Sequence, residues 1–264
     1  MQQLCLSKLG PVSRACFKVH EKKTGFENSF ANVALIWRNN DFMKKSLIAT
    51  VLMIGLIQAE EKKSAEKWQS LFDGETLAGW TDGEGKAVEE GHWVAEGGVL
   101  TRESEGSGSL FSAKEYGDFE FSFEWKISEK GNSGVKYRLA QYDGKWLGLE
   151  YQILDDANHP DGKNGPIRQS AALYDLKPTS DLKKLKPVGE WNQSRIKVHE
   201  GVVTHYLNGA EVVRLEIPSA EWEERFAKSK YKKTKGFGVN QRGYLQLQEH
   251  GDVVSYRKLK ISEL

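Results

Sequence analysis

Between Phe119 and Ile127 the chain alternates strictly: Phe119, Phe121, Phe123, Trp125 and Ile127 are apolar, while Glu120, Ser122, Glu124 and Lys126 are polar. A period of two sends alternate side chains to opposite faces, so the segment predicts a strand with one buried face. The same period recurs in Val135, Tyr137 and Leu139, which predicts that the intervening Lys136 and Arg138 face away from the core. It recurs again in Leu147, Leu149, Tyr151 and Ile153 around Gly148, Glu150 and Gln152. Residues 195–199 and 202–207 read as strands paired around Glu200-Gly201. Asn208-Gly209 then supplies a two-residue turn into 211–217, because both residues accept positive φ. Residues 91–94 with 99–102 predict an early hairpin, and 243–250 with 253–261 predict a last one. One helix is expected over about 220–230, with Ser219 as its N-cap after Pro218. Strands at short spacing, Gly-rich turns and a single short helix predict an all-β sandwich or barrel of antiparallel strands.

One segment breaks this pattern. Met43-Lys44-Lys45 leads into an almost wholly apolar run from Ser46 to Ile57, then Gln58-Ala59 before Glu60-Glu61-Lys62-Lys63. A basic start, a short apolar stretch and a small residue at its end form the pattern of a secretory signal. The run is shorter than the roughly 20 apolar residues of a spanning helix, so an integral membrane protein is not expected. The expected organisation is an extension over 1–42, a signal over 43–59 with translation starting at Met43, a linker over 60–67, and one domain over 68–264. The product would be exported, to the periplasm or beyond the cell.

That division changes the composition. The 264 residues carry 38 Lys+Arg against 37 Asp+Glu, a net of +1. Residues 1–59 hold eight of the basic and three of the acidic residues, which leaves 30 against 34 and a net of −4. Cys5 and Cys16 both fall in the leading part, so neither a disulfide framework nor a cysteine zinc site is expected in the domain. The near-neutral balance of the whole chain, with a pI of about 7.7, argues against a nucleic-acid binder, which must neutralise many phosphates.

Motifs for other chemistries are absent. There is no G-x-S-x-G elbow, no Walker-type loop and no H-E-x-x-H, and Gly83-Glu84-Gly85 lacks the rest of a dinucleotide fingerprint. The lysine-rich stretch 228–235 reads as a solvated loop rather than an anion site. Polar density on particular strands is more informative. Glu150 and Gln152 share one face, with Asp155, Asp156 and His159 in the loop beyond. Gln248 and His250 share a face opposite Leu245 and Leu247, and Gly131-Asn132-Ser133-Gly134 forms a Gly-flanked turn just before a strand. Gln, His, Asn, Tyr and Trp on a sheet face suit the hydroxyls and C–H surfaces of a sugar, although an ordinary solvated sheet remains the alternative.

A set of ordered motifs narrows the choice. They are Leu71-Phe72-Asp73-Gly74 with Gly79-Trp80, then Gly131-Asn132-Ser133-Gly134, then Glu150-Tyr151-Gln152-Ile153-Leu154-Asp155-Asp156 with His159-Pro160. Leu173-Tyr174-Asp175, Gly189-Glu190-Trp191-Asn192, His205-Tyr206-Leu207-Asn208-Gly209 and Leu247-Gln248-Glu249-His250-Gly251 follow, leading to Arg257. From about Trp68 to Leu264 the chain resembles the 3-keto-disaccharide hydrolase domain family. Glu249 stands where that family usually has Asp, and Gln246 where Gly is common.

The resemblance implies a concanavalin A-like jelly-roll β-sandwich of two antiparallel sheets. It implies an enzyme that cleaves 3-keto-glycosides or 3-keto-disaccharides: a base removes the acidified C2 proton, an enolate forms, the C1–O bond breaks by elimination, and water adds back. His250 or His159 is the candidate base, since imidazole titrates near neutral pH. Glu150 is a further catalytic candidate, and Arg138 would stabilise the enolate oxygen. Asn132, Gln152, Asp155, Tyr174, Trp191, Gln248 and Arg257 are candidate substrate ligands. The resemblance fixes no cofactor, and Glu150, Asp155 and His159 could gather a divalent metal ion. A sugar 3-dehydrogenase is the expected functional partner, because it would supply the keto sugar. Two alternatives keep the fold: a carbohydrate-binding module without catalysis, and a carboxylate-pair hydrolase of the glucanase type. Gln152, where a second acid would stand, weakens the latter.

Overall fold

The computed structural model describes residues 68–88, 93–103 and 108–264. The divisions expected at 1–42, 43–59 and 60–67 lie outside the described residues. Along the chain run β1 (Gln69–Ser70), β2 (Trp80–Thr81), β3 (Trp93–Glu96), β4 (Val99–Arg102) and β5 (Leu110–Ser112). The long strands β6 (Phe119–Ile127), β7 (Asn132–Tyr142) and β8 (Lys145–Leu154) follow. After two 3-10 turns at Pro160–Asn164 and Pro166–Arg168 come β9 (Asn192–His199), β10 (Val202–Leu207) and β11 (Ala210–Glu216). Helix α1 (Ala220–Lys228), β12 (Tyr244–Leu247) and β13 (Val254–Glu263) complete the order.

Two antiparallel sheets result. One has eight strands in the order β11-β10-β9-β6-β13-β4-β3, with β1 added beside β13; the other has five, β2-β5-β12-β7-β8. The alternation in β6 works as expected, with Phe119, Phe121, Phe123, Trp125 and Ile127 all buried and the residues between them half-exposed. Removing each such large side chain from water stabilises the fold by about 1.5–3 kcal/mol. Polar groups between the sheets are paired. Trp125 Nε1 donates to Ser194 Oγ at 2.8 Å, and Tyr151 Oη lies 2.7 Å from the same oxygen. His205, fully buried, lies between Tyr137 Oη at 2.8 Å and the Ala171 carbonyl at 2.9 Å. Burial lowers its pKa to about 4, against a smaller opposing pull from the Ala171 hydrogen bond.

Three expectations change. The segments read as a last hairpin, 243–250 and 253–261, do not pair with each other. β12 pairs with β5 and β7, while β13 lies in the other sheet between β6 and β4. The turn through Gly251 (φ 91°) therefore carries the chain from one sheet to the other. Both segments have a face to bury, and opposing sheets satisfy that as well as adjacent strands do.

Arg138 does not face outward beside Lys136. Register with β8 shifts between Tyr137 and Ala140, Arg138 has φ 47°, and its guanidinium is buried 3.5 Å from Asp118. Gly148 on β8 and Gly243 just before β12 make room for this bulge. A Cβ at Gly148 would lie 2.8 Å from the Tyr137 carbonyl oxygen, and one at Gly243 would lie 2.6 Å from Leu139 N. The helix ends at Lys228, two residues early, capped at its start by Ser219 Oγ accepting from Trp222 N at 3.1 Å.

Candidate functional site

The outer face of the five-stranded sheet carries the polar side chains that strand alternation leaves there. On β8 these are Glu150 and Gln152, and across the ladder β7 presents Lys136 opposite Glu150 and Gly134 opposite Gln152. The end of β12 joins β7 when Gln248 N donates to the Gly134 carbonyl at 2.9 Å. Gln248 then bridges its neighbours: its amide nitrogen donates to Glu150 Oε1 at 3.1 Å and its amide oxygen accepts from Lys136 Nζ at 3.2 Å. Gly134 is the floor of this arrangement. A Cβ there would lie 2.7 Å from Glu150 Oε1 and 3.1 Å from the Gln248 amide, so only glycine lets the two side chains close over the strand.

A cavity of about 100 Å³ opens above this floor. Its walls come from loops that fold back on the sheet. The segment after β8 runs along the sheet edge, where Gln152 N donates to Ala172 O at 3.3 Å and Tyr174 N donates to Glu150 O at 3.0 Å, and this sets the Tyr174 ring beside the cavity. The Tyr174 hydroxyl donates to Asp161 Oδ2 at 2.7 Å, and Arg168 pairs with Asp161 and Asp175 at 3.0 Å each. Burial, helped by the Asp161 hydrogen bond, holds the Tyr174 phenol well above its ordinary pKa.

Lys230 and Tyr231 come from the loop after α1. The Lys230 ammonium sits 4.2 Å from the Tyr174 ring centre and 5.0 Å from that of Tyr231. Desolvation lowers the Lys230 pKa from 10.5; Glu150 pulls it up and Lys136 pushes it further down. The lysine-rich stretch is therefore not wholly a solvated loop, because its third residue reaches the cavity.

His250 lines the opposite rim. A buried guanidinium that the sequence motifs did not point to holds its loop. Arg102 donates to Glu249 Oε1 at 2.6 Å and to the Asp252 carbonyl at 3.0 Å, and Gly251 N donates back to Glu249 Oε1 at 3.0 Å. Asp252 Oδ2 accepts from Asn132 N at 2.9 Å, which ties the loop to the first residue of β7. Asn132 is thus already in the strand rather than in a turn before it, and its side-chain Oδ1 is buried beside the cavity without a partner.

The structure thus gathers Glu150, Gln152, Asn132, Tyr174, Gln248 and His250 of the expected residues around one cavity, and adds Lys136, Lys230 and Tyr231. Five expected residues lie elsewhere. Arg138 is turned toward Asp118 by the bulge. Asp155 holds a turn, accepting from Lys130 N at 2.8 Å and from the Asn158 side chain at 2.9 Å. Burial alone would raise its pKa, but these hydrogen bonds together keep it below the usual carboxylate value. His159 caps the first 3-10 turn, its Nδ1 accepting from Asp161 N at 3.0 Å. Trp191 and Arg257 belong to the outer face of the eight-stranded sheet, where the guanidinium stacks 4.1 Å from the indole and pairs with Glu124 at 2.6 Å. Glu150, Asp155 and His159 do not converge, and among the described residues no group of three or more His, Cys, Asp or Glu side chains could hold a metal ion. A larger groove of about 570 Å³ beside α1 is lined by Arg168, Asp175, Glu221, Glu224, Arg225 and Lys228, whose charges are paired with one another.

Two antiparallel sheets packed face to face, with a polar pocket on the outer face of one, make this a jelly-roll β-sandwich. Residues 67–262 match the family described as the 3-keto-alpha-glucoside-1,2-lyase-like domain, and the chain belongs to that family. A 3-keto-disaccharide hydrolase of Bacteroides thetaiotaomicron is 33% identical over 232 residues, covering 76% of this chain and 79% of the relative. A crystal structure of a provisionally assigned glycosyl hydrolase from Parabacteroides distasonis superposes with TM-score 0.69 at 29% identity, covering 77% of this chain and 97% of that one. A second such protein from the same organism gives 0.58 at 26% identity, over 75% and 100%.

Proposed function

We propose that the chain is an exported enzyme that cleaves the glycosidic bond of 3-keto-glycosides by elimination and hydration. The observation that carries this reading is the charge inventory of the pocket: one carboxylate, Glu150, faces two ammonium groups, Lys136 and Lys230, and one imidazole, His250. A carboxylate-pair hydrolase needs two carboxyl groups about 5–9 Å apart across the scissile bond, and the residues lining this cavity include only one. An enolate intermediate needs cations and a base, which this cavity provides.

In the proposed reaction His250 accepts the C2 proton, and the C–H electron pair forms the enolate whose oxygen Lys136 stabilises. The enolate collapses, the C3 carbonyl re-forms, a C1–C2 double bond forms and the C1–O bond breaks. Lys230, its pKa lowered by desolvation, protonates the leaving oxygen. Water then adds across C1–C2: its oxygen bonds to C1, Lys230 recovers a proton, and protonated His250 returns one to C2. Asn132, Gln152, Glu150 and Gln248 hold the hydroxyls, and the unpartnered Asn132 Oδ1 is the acceptor left free for one of them. The keto substrate requires an upstream enzyme that oxidises a sugar at C3. Export rests on the basic and apolar pattern from Met43 to Ala59.

The test compares a 3-keto-glucoside with the unoxidised glucoside in D2O. The expected result is cleavage of the keto substrate alone, with deuterium at C2 of the released 3-keto-glucose to the extent that the His250 imidazolium exchanges with solvent before it returns its proton. Equal cleavage of both substrates refutes elimination. Binding without turnover of either leaves a carbohydrate-binding module.

A further inference from the structure

The polar cavity is one end of a longer track across the five-stranded sheet. Directly opposed residues of neighbouring strands share a face, and the registers place Glu150 (β8), Lys136 (β7), Gln246 (β12) and Phe111 (β5) in one row. Strands lie about 4.8 Å apart, so the carboxylate end and the aromatic end are about 14 Å apart at the backbone. On β8, Trp146 lies four residues before Glu150 on the same face, and on β12 Tyr244 lies four before Gln248. The row therefore ends in a cluster of three rings: Trp146 meets Phe111 edge-on at 5.4 Å and 62°, and Tyr244 at 5.7 Å and 87°.

These rings border a groove of about 420 Å³, closed on its far side by the loop Thr81–Gly85. That loop is pinned to the cluster. Trp146 Nε1 donates to the Gly83 carbonyl at 3.2 Å, and a Cβ at Gly83 would lie 3.3 Å from both Phe111 and the indole nitrogen. The groove is thus held open by a fixed indole whose residue is only half-buried. In the row, Gln246 lies between Lys136 and Phe111; it is 6% exposed, and its side-chain carbonyl oxygen is buried without a hydrogen-bond partner. An indole face, a phenol and an unpaired amide in succession match the C–H face and hydroxyls of a pyranose.

We infer that the Phe111–Trp146–Tyr244 groove binds the leaving group of the substrate as a second pyranose ring, with Gln246 accepting a hydrogen bond from one of its hydroxyls. The inference rests on the proposed function for its orientation: the keto ring lies over Glu150 and Lys136, and the scissile oxygen lies between there and Gln246. The groove would make the protein selective for disaccharides over glycosides with small leaving groups.

The test measures kcat/KM for a 3-keto-disaccharide and for methyl 3-keto-glucoside in wild type, Trp146→Ala, Trp146→Phe and Gln246→Leu, with Tm of each. In Trp146→Ala the disaccharide-to-methyl ratio of kcat/KM is expected to fall tenfold or more, with Trp146→Phe recovering most of it and Gln246→Leu losing about fivefold. Equal losses on both substrates, or a ratio that does not move, overturn the inference. Calorimetric titration with unoxidised glucose disaccharides reads the groove independently of catalysis. If the wild type cleaves neither keto substrate, the proposed function fails alone. The groove then stands on a tenfold weaker disaccharide affinity in Trp146→Ala and falls if the affinity is unchanged.

Discussion

Replacing Gly134 by alanine tests whether the pocket floor sets its geometry. Gly134 has ordinary strand φ, so alanine brings no backbone strain there, and it restricts the unfolded chain by about 0.4–1 kcal/mol in favour of folding. The added methyl, however, would sit 2.7 Å from Glu150 Oε1, and ordinary contact begins near 3.4 Å. The carboxylate must retreat by about 0.7 Å, and with it goes the 3.1 Å hydrogen bond from Gln248. Losing that bond costs about 1 kcal/mol, which offsets the entropic gain, so Tm should stay within about 3 °C of wild type. Activity should respond far more. A misplacement of about 1 Å can cost about 100-fold, so a shift of this size predicts a 10–100-fold fall in kcat/KM on a 3-keto-glucoside, or about 1.4–2.7 kcal/mol of transition-state stabilisation. Shortening the carboxylate should relieve the clash. The Gly134→Ala loss should therefore be smaller on a Glu150→Asp background than alone, with an interaction of at least about 0.5 kcal/mol in the double-mutant cycle. Activity within twofold of wild type, or strict additivity, would refute the reasoning.

Further predictions address the groups around the pocket. His250→Ala should lower kcat by about 100-fold or more, the range for loss of a general base, whereas His159→Ala, at a residue that does not line the cavity, should leave kcat within about twofold. Loss of activity in the His159 variant alone would reverse the assignment. Arg102→Ala removes a buried guanidinium from Glu249, which is partly exposed and can turn to water. The expected cost is about 3 kcal/mol, a fall of roughly 6–12 °C in Tm, and an unchanged Tm would count against this anchor. The pKa of His205 falls from 6.5 to about 4 on folding, so above pH 6.5 stability is at its full value. As pH drops from 6.5 toward 4 the unfolded chain takes up the proton first, and up to about 3 kcal/mol is lost. Measured Tm should therefore decline across that window less steeply in His205→Gln than in wild type, and parallel curves would contradict the buried neutral imidazole.

Much of the architecture was written in the chain as local periodicity. The alternation in β6, β8, β9 and β10 needs only a pleated backbone and one wet face, and the Asn208-Gly209 turn needs only two residues that accept positive φ. The same periodicity placed Glu150 with Gln152 on a common face, because facing within one strand is a local property, whereas Gln248 and His250 lie beyond the end of β12 and reach the cavity from the loop that follows it. Three matters depended on structure far away in sequence. Period two does not say which sheet a strand joins, so 243–250 and 253–261 looked like a hairpin although they belong to opposite sheets. It does not register a bulge either: Arg138 turned inward because Gly148 on β8 and Gly243 just before β12 leave room for the extra residue. Nor does it show what loops bring in. Lys230 reaches the pocket by packing on Tyr174 of a distant loop, and Arg102 reaches the supporting loop from the other sheet, while Asp155 and His159 spend their polar atoms on their own turns. The sequence by itself determined the strands, their buried faces and the stock of sugar-matching side chains, because those follow from neighbours two residues apart. The tertiary structure alone decided which of those side chains meet, because strand pairing, bulges and loop closure are set by residues tens of positions away.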